Sequence, residues 1–178
     1  YHELVPYIDD GLDVVVIEPT DIAMFRQDYE NLLDEASFER ISSNTYDILE
    51  YIDILHEAGE IDLDGLRSAS AGETIAYHSN CQQRSVGLES ETLDVLEDLG
   101  YDVATTDVEC CGMAGSFGYK KEYYELSMEV GDEVKDQLTT AETRNLDVYA
   151  SGMSCFSQID ALLERTPQHP IELLAPKR

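Results

Sequence analysis

TIAYHSNC, residues 74–81, decides the fold. Thr74 to Asn80 is a short apolar, partly β-branched run that ends in polar turn residues, the pattern of a buried strand. LESETLDVLEDLG follows, with Leu88, Thr92, Val95, Leu96 and Leu99 on one helical face and Gly100 at its end. YDVATTDV is then a strand again. A strand, a helix and a strand in this order build a parallel sheet.

The same alternation extends outward in both directions. Upstream, DVVVIEP (Asp13–Pro19) is a strand stopped by proline. DIAMFRQDYENLLDE carries Ile22, Phe25, Tyr29 and Leu32 at helical spacing, and the helical reading continues through SFERISSNTYDILEYIDILHEAGE. IDLDGLRSASAGE is a polar connector. Downstream, KKEYYELSMEVGDEVKDQL is a helix, NLDVYASG a strand and SCFSQIDALLERT a helix. HPIELLAP closes the chain as a short helix begun by Pro170. The expectation is an α/β, Rossmann-like three-layer sandwich with a mainly parallel sheet of about four strands. One domain, residues 1–178, fits the length.

Ligands in such sheets sit at the carboxyl ends of the strands. Those ends read EPTD, HSNC, ECCG and GMSC, so Cys81, Cys110, Cys111 and Cys155 all fall on one rim. These are the only four cysteines of the chain. Each is expected at or near a helix N-terminus, where unpaired N–H groups favour a thiolate. Thiolates are the ligand form for soft metals and iron–sulfur clusters. Gly112, Gly115 and Gly118 permit tight turns and offer N–H donors to cluster sulfurs. Burial of the thiols as core filler is the bland alternative. GMAGSFG has the look of a phosphate loop but lacks the Walker lysine and the dinucleotide spacing.

The 178 residues carry 38 acidic against 11 basic Lys and Arg side chains, a formal charge of −27. That balance repels phosphate backbones and anionic membranes, so no nucleic-acid partner is expected. The charge is spread along the chain rather than blocked into a tail, and lysines are few. We read this as adaptation to high salt, of the kind met in halophilic archaea. No apolar run is long enough for a transmembrane segment. With no signal peptide in view, metal or redox chemistry fits the cysteines better than disulfides do. The opening YHELVPYIDD reads as mid-protein, as of a domain excised from a longer chain.

EPTDIAMFRQDY, YHSNCQQR, DVECCGMAGSFGY, SGMSC and HPIELLA together resemble the cysteine-rich CCG domain. That domain occurs in the B subunit of heterodisulfide reductases and in the C subunit of anaerobic glycerol-3-phosphate dehydrogenase. It also ends FAD-linked, iron–sulfur-binding dehydrogenases of D-lactate and glycolate type, and the likeness of EPTDIAMFRQDY to these implies that the chain is the C-terminal fragment of a longer oxidoreductase. The resemblance implies Cys81, Cys110, Cys111 and Cys155 as ligands of an iron–sulfur cluster of 4Fe–4S type, with Gly112 and His78 also facing the cofactor. His78 could ligate metal, donate an N–H to a sulfur, or simply pack beneath the loop. The full family motif ends in Cys-x-x-Cys; Gly152 stands where the first of that pair would be, and Asp21 where many members carry cysteine.

The implied function is electron transfer within an oxidoreductase that acts on a 2-hydroxy acid or glycerol 3-phosphate. FAD would sit on another domain or subunit. The implied partners are that flavin-containing dehydrogenase part and an electron acceptor. The chain alone has no catalytic residues, and its expected location is the cytoplasm, reaching the inner face of the membrane only through partners. The alternative is a zinc-binding or metal-free thiol-cluster module with a structural or interaction role. His169 is read as a helix-start residue, His56 as a solvated helix residue, and Tyr123, Tyr124 and Met128 as packing. Thr20 or Asp21 is expected to cap the first helix, with Glu18 at the rim.

Overall fold

A computed structural model of the chain describes residues 1–66 and 72–174. Its elements in order are α1 (Val5–Asp9), β1 (Val14–Val16), α2 (Pro19–Arg26), α3 (Glu35–Ser42), β2 (Thr45–Asp47), α4 (Ile48–Glu57), α5 (Leu63–Leu66) and β3 (Thr74–His78). There follow α6 (Cys81–Ser85), α7 (Glu89–Asp98), β4 (Asp102–Thr105), α8 (Tyr124–Leu138), β5 (Val148–Ala150) and α9 (Met153–Leu163). Part of the connector IDLDGLRSASAGE, residues 67–71, lies outside the described residues.

The expected α/β class with parallel strands is what forms. β3 lies between β4 and β5, parallel to both. The backbone of Gln168 adds a parallel bridge beside β5, with Gln168 N–H donating to Val148 and Ala150 N–H donating to Gln168. Alternation along β3 divides the core in two. Ile75 and Tyr77 face one side with Leu49, Val95, Leu96 and Leu99. Ala76 faces the other with Val108, Val134, Leu138 and Ile159. So α4 and α7 cover one face and α8 and α9 the other. This is why β3 is apolar on both faces rather than alternating. Each fully buried aliphatic side chain here contributes about 1.5–3 kcal/mol relative to exposure.

The sheet differs from a single four-stranded one. β1 pairs in parallel with β2 as a separate two-stranded sheet, Val14 opposite Thr45 and Val16 opposite Asp47. β2 lies inside the stretch read as continuous helix. Ile41, Tyr46 and Leu49 have helical spacing, but they belong to three elements. α3 ends at Ser42, and beyond its cap Ser43 the Asn44 and Thr45 side chains return hydrogen bonds to the carbonyls of Arg40 and Ile41. Side chains that bond the backbone this way compete with helix continuation. α4 then starts afresh on Asp47, whose carboxylate accepts the Leu49 N–H while Glu50 accepts the Asp47 N–H. The long helix expected over DIAMFRQDYENLLDE also breaks, at Gln27, into α2 and a 3-10 turn from Asp28 to Asn31. The closing helix is a 3-10 turn, Pro170–Leu174.

Candidate metal centre

Three strand ends deliver the site. β3 ends on His78, which is 1% exposed; its Nδ1 lies 2.7 Å from Thr106 Oγ1 at the end of β4. Asn80 then caps α6 by accepting the Gln82 N–H at 2.8 Å. That cap makes Cys81 the first helical residue. β5 ends at Ala150, and Gly152 opens α9, which carries buried Cys155 in its first turn.

The Cys-Cys-Gly turn is placed differently from expectation. Cys110 and Cys111 do not stand at a helix N-terminus; α8 begins only at Tyr124. The turn is instead pressed against the side of α8 through glycine. Gly112 has φ +93°, and a Cβ there would lie 2.2 Å from the Ser127 carbonyl oxygen. Only glycine meets both demands. The Ser127 hydroxyl donates to the Gly112 carbonyl at 2.8 Å, and Gln158 of α9 donates to the Ser127 carbonyl at 2.7 Å. Gly112 N–H points to Cys110 Sγ at 3.4 Å.

His78, Cys111 and Cys155 converge: their ligand atoms lie within 4.8 Å of one another, and all three residues are buried. Cys81 and Cys110 are half-buried and line, with Cys111, a cavity of about 380 Å³ whose wall also includes Thr20, Asn80 and Ser154. The four thiols are free, with no disulfide among the described residues. The neighbouring Cys155 thiol and, to a lesser degree, the His78 ring hold the Cys111 thiol well below the usual cysteine range. The same contact, with burial, pushes Cys155 well up. Burial raises Cys81, and the neighbouring Cys110 and Cys111 add to it. The arrangement favours a thiolate at Cys111, the form in which a cysteine ligates metal. Two to four sulfurs with an imidazole are a donor set for iron–sulfur clusters or zinc, not for hard cations.

Glu18, not Thr20 or Asp21, caps α2, accepting from the Thr20 backbone N–H and hydroxyl. Its other oxygen accepts the Met153 N–H at 2.9 Å, so one carboxylate joins the starts of α2 and α9. His169 lies at the start of the last turn, accepting the Ile171 N–H through Nδ1. It is not among the convergent donors of the described residues. His56, in α4, is partly exposed beside Asp98. Tyr123 and Tyr124 are surface residues rather than core, Tyr123 stacking on Phe117 at 4.5 Å. Sequence reasoning missed Asn80 and Thr106. The signal for Asn80 was present, since asparagine directly before a helix start is a preferred cap.

Residues 75–160 match the family model described as a cysteine-rich domain, CCG. The chain is similar to the C subunit of anaerobic glycerol-3-phosphate dehydrogenase of Escherichia coli K12, 32% identical over 103 residues, 57% of this chain and 25% of that protein. It is also similar to D-2-hydroxyglutarate dehydrogenase of Pseudomonas putida, 21% identical over 169 residues, 93% of this chain and 15% of that protein. The same enzyme of E. coli K12 is 24% identical over 166 residues, 92% of this chain and 15% of its own length. The chain thus spans a quarter or less of the length of these curated relatives. No solved structure matches it significantly. No helix of the described residues is long and apolar enough to cross a membrane.

Proposed function

We propose that this chain is the iron–sulfur electron-transfer part of an FAD-linked oxidoreductase acting on a 2-hydroxy acid or glycerol 3-phosphate. The observation that carries the reading is the convergence of Cys111, Cys155 and His78 beside a cavity that Cys81 and Cys110 also line. The names of the relatives, a glycerol-3-phosphate dehydrogenase subunit and a 2-hydroxy-acid dehydrogenase, support the substrate class. Cys81, Cys110, Cys111 and Cys155 would hold a cluster of 4Fe–4S type, which when bound accepts and releases one electron at a time. The rest is the work of the polypeptide. Gly112 N–H and the Asn80 amide offer hydrogen bonds to Cys110 and Cys155, and such bonds raise a centre's potential. Thr106 holds the His78 ring, and the apolar core beneath keeps water from the inner side of the site. FAD and the oxidised substrate belong to another domain or subunit, and an electron acceptor completes the path. High-salt adaptation remains our reading of the −27 charge.

A second reading has its own observation. The three tightest donors, one nitrogen and two sulfurs, also suit zinc. Iron, zinc and acid-labile sulfide measured on anaerobically prepared and reconstituted protein separate the two. Iron with matching sulfide is the expected result. Stoichiometric zinc without sulfide would overturn the electron-transfer reading in favour of a structural module.

A further inference from the structure

Gly152 has φ −106° and ψ 139°, extended backbone that any residue can adopt. Conformation therefore does not call for glycine there. Space does. A Cβ at 152 would lie 2.1 Å from Asn80 Nδ2 and 2.9 Å from its Cγ. Asn80, two residues past the end of β3 and 1% exposed, occupies that space. Both ends of its amide are engaged. The Gln82 N–H can only donate, so the atom facing it at 2.8 Å is the amide oxygen. The amide nitrogen is thereby turned to Cys155 Sγ, 3.4 Å away. Cys155 in turn reaches Cys111 and His78.

We propose that Asn80 is a positioning residue of the metal centre. Its amide, seated in the space that glycine leaves at 152, aims the Cys155 sulfur at Cys111 and His78 and donates an N–H to the thiolate once metal is bound. This rests on the metal-centre reading above. Two consequences follow. The N–H stabilises negative charge on Cys155, which strengthens its hold on a cation and shifts a redox centre to higher potential. The Asn80–Gly152 pair also closes position 152 to any side chain, so the protein offers the centre the four thiolates it has and no further one from the start of α9.

The discriminating variant is Asn80→Ser. Serine keeps an oxygen that caps α6 but has no amide to reach Cys155. The probe is cobalt(II) alone, titrated anaerobically into reduced protein and read by its thiolate-to-cobalt charge-transfer absorption. The wild type should bind cobalt with that band, and Asn80→Ser should bind about 10–100-fold more weakly. In iron-reconstituted protein the same variant should shift the midpoint potential downward. Steric complementarity is read without metal. Gly152→Ala should lower the melting temperature of the metal-free protein or prevent folding, and Asn80→Ser/Gly152→Ala should restore a folded protein. A wild type with no thiolate-to-cobalt band overturns the metal-centre reading and the role of Asn80 with it. A wild-type band with unchanged affinity in Asn80→Ser overturns the role of Asn80 alone. A Gly152→Ala protein as stable as wild type, or a double variant no better than the single one, overturns the pairing of Asn80 with Gly152.

Discussion

The two parallel sheets end alike and do different things with their ends. β2 stops at Asp47 and β3 at His78, both buried, the first followed directly by a helix and the second after two residues. Around Asp47 the helix start is answered by its own segment, with Arg26 of α2 added from outside. The Asp47 carboxylate takes the Leu49 N–H, and Glu50 takes the Asp47 N–H. Arg26 grips both Glu50 oxygens at 2.9 Å and also donates to the Thr45 carbonyl. The carboxylates there are taken up by caps and by Arg26. Around His78 the partners come from three strand ends, and the sulfurs they carry open on a cavity. A buried polar group at a strand end is thus a cap when its neighbours in sequence satisfy it. It becomes a site when distant segments bring soft donors that satisfy each other only in part.

The sharpest way to break the comparison is to remove a thiol. Cys111→Ser should abolish the visible absorption of reconstituted protein, and Cys110→Ser should do the same. The metal-free melting temperature should change little, because the core does not depend on the metal. Retained iron and sulfide in both variants would place the centre elsewhere. Next in size is Gly112→Ala, which meets the Ser127 carbonyl and requires φ +93° of a residue with a side chain. A loss of about 3–5 kcal/mol in urea unfolding is expected; a loss under 1 kcal/mol would mean that the Cys-Cys-Gly turn is not held by α8.

The closed end should answer to pH instead of metal. Burial raises the Asp47 carboxyl from 3.8 to about 6. Between these values the folded chain keeps a proton that the unfolded chain has lost, so protonation stabilises. Stability from this group is present below about pH 4 and is lost as pH rises to 6. Asp47→Asn, which keeps a capping oxygen, should remove up to about 3 kcal/mol of that slope and leave metal content unchanged. Parallel pH profiles for the two proteins would contradict this. The smallest effect belongs to the outer face of α4 and α7. Burial pushes Asp53 up, and the charges of Glu57, Asp94 and Asp98 add to it. Asp53→Asn should stabilise by less than about 1 kcal/mol at low salt and by nothing in molar salt. Molar salt should itself raise the wild-type melting temperature well beyond the response of an ordinary domain; a salt-independent melting curve would remove the high-salt reading.

The strand-and-loop order of TIAYHSNC, YDVATTDV and NLDVYASG was enough to put Cys81, Cys110, Cys111 and Cys155 at one end of a parallel sheet. Period, turn residues and chain order are local properties, and the rule that parallel strands share an end converts them into a place. Whether Thr45–Asp47 is helix or strand was not legible, because its apolar spacing fits either until β1 lies beside it. That Val14–Val16 leaves the main sheet, that Glu18 holds the start of α9 and that Asn80 occupies the space at Gly152 were decided by contacts 31, 135 and 72 residues apart in the chain (roughly, by numbering). Such contacts depend on side-chain volume and on which surfaces meet once the layers pack. A pattern along one segment carries information about that segment's own faces, and none about the atom that will stand opposite.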